Sequence, residues 1–163
     1  MFPQAIDAAA RALIEEARAA GLTVTTAESC TGGLVAAAIC SISGASDVFD
    51  RGVVTYSNAA KAAMIGVPEA LLAAHGAVSE PVARAMAEGA LAASGADVAV
   101  AITGIAGPGG GSPAKPVGTV HFAAARDGFT LHRHEVFAGL DRGGVQFAAV
   151  ETALEMLRNL VRA

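Results

Sequence analysis

Val98–Thr103 is a nearly continuous apolar run, Val-Ala-Val-Ala-Ile-Thr, with none of the alternation of a half-exposed strand. Such a run reads as a strand buried on both faces, in the middle of a sheet that helices cover from both sides. The next ten residues, Gly104 to Pro113, hold five glycines and two prolines, so a loop must leave this strand's end. The rest of the chain supplies the covering layers. Ala5–Ala20 has Ile6, Leu13, Ile14 and Ala17 on one helical face and stops at Gly21. Leu22–Ala27 reads as a strand, Gly32–Ser41 as a helix, Val53–Ser57 as a short strand and Asn58–Ile65 as a helix capped by Asn58. Pro68–Ala74 is expected to be a short helix. A longer one follows, with Ser79 as N-cap, Pro81 in its first turn and Gly95 at its end. Thr119–Ala125 and Phe129–Phe137 flank Asp127-Gly128 as a hairpin, and Asp141–Val161 is the closing helix. Helices alternating with strands, plus one hairpin, predict an α/β protein: a three-layer α/β/α sandwich on a mixed, mostly parallel sheet.

Composition excludes several function classes. The length, 163 residues, suits one domain spanning 1–163, and 53% hydrophobic content suffices for a real core. A net charge of −4 argues against a general nucleic-acid surface. No uncharged apolar run approaches the roughly 20 residues that cross a bilayer, and the first residues read as an amphipathic helix rather than a signal peptide. Cys30 and Cys40 fit no metal or disulfide framework, as expected of a protein in a reducing cytoplasm.

Four segments carry candidate chemistry. The first is Thr26-Ala27-Glu28-Ser29-Cys30-Thr31-Gly32-Gly33, a polar turn between strand and helix. Ser29 there reads as a nucleophile or as a helix cap, and Glu28 as the orienter of a donor or as a partner of the helix dipole. Gly32 and Gly33 permit close approach of a ligand, and amides at a helix start attract anions. The second segment is Tyr56-Ser57-Asn58-Ala59-Ala60-Lys61, with the only tyrosine and one of two lysines. A lysine in a dry site has a lowered pKa and can serve as the base a serine needs. The alternative is a solvated lysine beside an interfacial tyrosine. The third is the loop after Thr103, with Gly104, Gly107, Gly109, Gly110 and Lys115, whose free amides suit a phosphate or an oxyanion. It has neither P-loop nor dinucleotide spacing. The fourth is Phe137-Ala138-Gly139-Leu140-Asp141-Arg142, where Asp141 can cap a helix and Arg142 stands at a helix start, an unfavourable place for a cation without an anionic ligand. His132 and His134 share one strand face, but no matching ligand set accompanies them, so a structural role is expected rather than a metal site.

Taken in order, these segments resemble the C-terminal domain of CinA, the nicotinamide-nucleotide amidase family. The matching residues are Thr26–Gly33, Gly52–Lys61, Gly76–Ser79, Thr103–Gly110 and Pro116–Val120, spread over nearly the whole chain. The resemblance implies an amidase that needs no metal and no cofactor. It would convert nicotinamide mononucleotide to nicotinic acid mononucleotide and ammonia, a step of pyridine nucleotide recycling. It also implies Ser29 as nucleophile, with Tyr56 and Lys61 activating it. Substrate contacts are expected from Glu28, Cys30, Thr31, Gly32, Gly33, Asn58, Thr103, Gly104, Gly107, Gly109, Gly110 and Arg142. The expected partner is a small-molecule nucleotide, not a nucleic acid or a membrane, and small Ala-rich domains of this kind are expected to pair as homo-oligomers. Some members carry a further N-terminal domain linked to competence and DNA damage, a label distinct from the amidase activity. Relative to the family pattern, Leu140 looks inserted before Asp141, and Gln146 stands near an expected arginine. The readings set against the amidase are a silent nucleotide-binding or regulatory protein and a metal-dependent hydrolase that uses the histidines.

Overall fold

The computed structural model describes residues 2–163. Helix α1 (Gln4–Ala20) buries Ile6, Ala10, Leu13, Ile14 and Ala17, one stripe at helical spacing, and ends at Gly21 in the left-handed conformation. Strand β1 (Val24–Glu28) is buried throughout and leads through a turn into α2 (Leu34–Cys40). A 3-10 turn (Ala45–Asp47) precedes β2 (Phe49–Val54). Then come α3 (Asn58–Ile65), α4 (Glu69–His75), α5 (Glu80–Ser94), β3 (Val98–Gly104), β4 (Thr119–Arg126), β5 (Phe129–Val136) and α6 (Arg142–Arg162).

The sheet order is β2-β1-β3-β4-β5. β1 pairs parallel with β2 and β3, β3 antiparallel with β4, and β4 antiparallel with β5. Four of the five strands therefore point the same way, and only β4 opposes them. The path from β1 to β2 and the path from β2 to β3 cross the sheet in opposite directions. Right-handed crossovers then put their helices on opposite faces. That is observed: α1, α2 and α6 pack on one face, and α3, α4 and α5 on the other. The loops leaving β1 and β3 diverge from this arrangement and open a crevice at the strand ends, where open α/β sheets bind ligands.

The two faces differ in bulk. Toward α1, α2 and α6 the sheet presents Val24, Val98, Val100, Ile102, Val120 and Phe122. Toward α5 it presents Ala27, Ala99, Ala101, Ala123 and Ala125, all one size. Alanine there lets α5 lie close to the sheet. Gly89 plays the same part between helices, since a Cβ at this position would run into the backbone carbonyl of Ile65 at the end of α3.

Two boundaries differ from the sequence reading. β2 spans Phe49–Val54 rather than Val53–Ser57. As an edge strand it exposes Asp50 and Arg51, so its first half has no apolar signature. Asn58 is not the cap of α3; the Ser57 side chain accepts the Ala60 amide at 3.0 Å instead. Asp141 does cap α6, accepting from the Gly144 amide at 2.8 Å.

Candidate active site

Three strand ends meet at one place. β1 delivers Ser29, β3 delivers Thr103 and Gly104, and β2 leads into Thr55 and Tyr56. A cleft of about 300 Å³ opens there, with Ser29, Cys30, Lys61 and Thr103 among its lining residues. Tyr56, Asn58, Gly104, Gly107, Gly109, Gly110 and Arg142, all expected from the sequence, also line it. Ala77, Val78, Ile105 and Ala106 complete the wall; they are apolar or small, and nothing in their chemistry marked them individually.

Lys61 is the centre of the arrangement. It is 1% exposed, rare for a lysine, and its Nζ lies 3.1 Å from Ser29 Oγ and 2.8 Å from the Thr55 carbonyl. Burial pushes its pKa below the ordinary lysine value, which favours the neutral amine. A neutral amine at this distance can accept the Ser29 proton. The contact joins side chains 32 positions apart in the chain.

Cys30 also lines the cleft, with its thiol buried. Burial pushes that thiol up to about 12, so it stays protonated at neutral pH and is a poor nucleophile. Gly104 makes room for it: a Cβ there would stand 3.0 Å from Cys30 Sγ and 2.8 Å from the Thr119 carbonyl.

Four of the expected substrate contacts have another occupation. Glu28 is buried, and its carboxylate accepts from Thr31 Oγ1 at 2.6 Å, Gly33 N at 3.1 Å, Val35 N at 3.0 Å and Ala36 N at 2.8 Å. It is the anion that fills the N-terminus of α2. Thr31 is wholly buried and spends its hydroxyl on Glu28. The Gly32 amide donates to the Ser29 carbonyl at 3.0 Å, and the Gly33 amide to Glu28. The Glu28 carboxylate, the Thr31 hydroxyl and the Gly32 and Gly33 amides are therefore spent within the turn, while the Thr31 amide donates to no protein acceptor among the described residues. The glycines are required by conformation, with φ of 58° and 98°.

The rim holds the remaining candidates. Tyr56 is 61% exposed, and its hydroxyl accepts from Arg142 Nη2 at 3.1 Å. It makes no hydrogen bond to Ser29 or Lys61. Arg142 also donates to the Gly107 carbonyl at 2.7 Å, so one guanidinium bridges the tyrosine and the Gly-rich loop. Thr103 Oγ1 donates to the Ala77 carbonyl at 2.9 Å and holds the wall. Among the described residues the amides of Ala106, Gly107, Gly109 and Gly110 donate to no protein acceptor. Lys115 lies off the cleft and donates to the His75 carbonyl at 3.0 Å.

The histidines cluster elsewhere on the sheet. His121 Nδ1 is 2.9 Å from His132 Nε2, and the His121 and His134 rings stack 4.3 Å apart. Among the described residues no group of three or more His, Cys, Asp or Glu is arranged to hold a metal ion.

The mixed-sheet α/β/α fold thus brings a buried serine–lysine pair to the carboxyl ends of its parallel strands. The chain belongs to the family described as the CinA C-terminal domain, which it matches over residues 6–161. It is 60% identical over 141 residues to the nicotinamide-nucleotide amidohydrolase PncC of Escherichia coli, covering 86% of this chain and 85% of that protein. A CinA-like protein of Anaeromyxobacter dehalogenans is 56% identical over 144 residues, or 88% of this chain. This chain spans only 35% of that relative's length, and 34% of a Symbiobacterium thermophilum relative that is 57% identical. Among solved structures, the competence/damage inducible protein CihA of Agrobacterium tumefaciens superposes with a TM-score of 0.97. It is 49% identical, and the match covers 100% of this chain and 99% of that one.

Proposed function

We propose that this protein hydrolyses the carboxamide of nicotinamide mononucleotide to nicotinic acid mononucleotide and ammonia, with Ser29 as nucleophile and Lys61 as its base. The observation that carries the reading is the 3.1 Å contact between Lys61 Nζ and Ser29 Oγ, two buried side chains that line the cleft. The 60% identity to a nicotinamide-nucleotide amidohydrolase supplies the substrate.

The neutral Lys61 amine takes the Ser29 proton as Oγ bonds to the carboxamide carbon. The carbonyl oxygen becomes an oxyanion. The Cys30 amide follows the nucleophile directly and makes no main-chain hydrogen bond, so it is one donor for that oxygen; the loop amides of Ala106 and Gly107 are the others. The Lys61 ammonium returns its proton to the departing nitrogen, the C–N bond breaks and ammonia leaves. Water then attacks the acyl-serine, Lys61 taking its proton and passing it to Ser29 Oγ as the acid departs. Arg142 and the free amides of Gly109 and Gly110 provide the positive rim for the substrate phosphate. Tyr56 serves at this rim by holding Arg142 rather than as a proton relay.

The working assembly is a homo-oligomer. Val54 on one edge strand and Phe129 and Val136 on the other are exposed, which supports pairing between copies; light scattering of the purified protein checks it. Among the described residues no helix is long and apolar enough to cross a membrane, and two unpaired cysteines suit a reducing cytoplasm.

The deciding assay is ammonia release from nicotinamide mononucleotide by purified protein, with and without chelator. Release that survives chelation is expected. Calorimetric binding of the nucleotide without release would instead establish a silent binding protein.

A further inference from the structure

Two anchors bracket the reacting segment of main chain. On one side the Ser29 amide donates to the Ile102 carbonyl of β3 at 2.9 Å. On the other, the Cys30 carbonyl accepts from Gln146 Nε2 at 3.0 Å. Between them lie the Ser29 side chain, the Ser29–Cys30 peptide with its Cys30 amide, and the Cys30 side chain. Residues 29–32 form a tight turn, closed by the Gly32 amide on the Ser29 carbonyl. The central peptide of such a turn, here Cys30–Thr31, has no bond within the turn, and its flip separates one turn type from another. Gln146 is the one side chain among the described residues that bonds its carbonyl.

Gln146 is half-buried and does not line the cleft, so it is not a substrate contact. It comes from α6, which packs on the sheet face opposite Lys61. Arg142 stands four residues earlier on the same helix, so the two share one helical face. That face holds the cleft's rim cation and the nucleophile's carbonyl anchor together.

We propose that Gln146 is a positioning residue: by holding the Cys30 carbonyl it fixes the Ser29–Cys30 segment so that Ser29 Oγ faces Lys61 and the Cys30 amide faces the developing oxyanion. The proposal rests on the amidase reading for its substrate, but not for its geometry.

Gln146→Met keeps the length and removes the donor; Gln146→Arg keeps a donor. Loss of the anchor lets the nucleophile drift by a fraction of an ångström to an ångström. The expected result for Gln146→Met is a fall in kcat of about tenfold to a hundredfold, with KM within about twofold and Tm nearly unchanged. Gln146→Arg should recover most of the lost kcat. A second readout needs no natural substrate: the rate at which a fluorophosphonate labels Ser29, forming the O–P bond with loss of fluoride, should fall in parallel. A Gln146→Met protein with kcat and labelling rate within twofold of the parent overturns the proposal. So does a loss that only follows a lowered Tm and is not rescued by arginine. If the parent labels at Ser29 but releases no ammonia from the nucleotide, the amidase reading fails, while the labelling ratio still decides the role of Gln146. A parent that neither labels at Ser29 nor releases ammonia overturns both.

Discussion

At the scale of single residues, the site separates side chains that do chemistry from those that build the place for it. Ser29→Ala is expected to lower ammonia release about 1,000-fold or more, and Lys61→Met by about 100-fold to 10,000-fold, both at a near-parental Tm. Burial lowers the Lys61 pKa, so with the neutral amine as the proposed base, kcat/KM should rise with pH through that lowered pKa and then level off. Tyr56→Phe loses only the bond to Arg142 and should raise KM more than it lowers kcat. A larger loss of kcat would restore the tyrosine as a relay. Glu28 belongs to the builders. Glu28→Gln keeps the shape but loses the charge that four donors share, at a cost of about 1–3 kcal/mol measured by urea unfolding. Ser29 and Lys61 were legible as candidates because residue type carries the chemistry. The role of Glu28 was legible only as one of two alternatives, since a carboxylate beside a nucleophile suits a ligand as well as a helix end.

At the scale of elements, what the sequence shows depends on how each element is buried. β3 lies in the middle of the sheet and reads as an uninterrupted apolar run. β2 lies at an edge, with Asp50 and Arg51 outward, and its first half reads as loop. The same logic governs α5. Its small face reads as ordinary alanine-rich helix, yet Gly89 sits where α3 ends against it. Gly89→Ala improves helix propensity by about 1 kcal/mol. The clash with the Ile65 carbonyl outweighs that gain, for a net loss of about 1–3 kcal/mol visible as a lowered Tm. A rise in Tm would mean that α3 and α5 can separate without cost.

At the scale of the molecule, the hairpin carries a pH response independent of the cleft. His121 is lowered to about 4, first by burial and then by the nearby charges of His134, His132 and Lys115, while Glu80 opposes the shift. His132 is lowered too, again by burial first, with Glu80 from α5 opposing and Arg84 and His134 adding to it. A histidine with a depressed pKa takes up its proton more readily when unfolded. Its neutral form therefore supports the fold fully above about 6.5, the ordinary value, and that support fades as the pH falls toward 4. Urea midpoints should drop between pH 7 and pH 5, and His121→Gln should flatten that slope without changing kcat at pH 8. By itself the sequence determined the alternation of helices and strands, the buried central strand, the glycine stops and the residue types of the cleft. Those depend on periodicity and local backbone preference, which neighbouring residues encode. Only the tertiary structure decided that Lys61 meets Ser29, that Glu28 is spent on a helix end, that the Tyr56 hydroxyl belongs to Arg142 and that Gln146 holds the Cys30 carbonyl. Each of these contacts depends on strand register and on how helices cross the sheet, and a side chain's partner across such distances has no local signature.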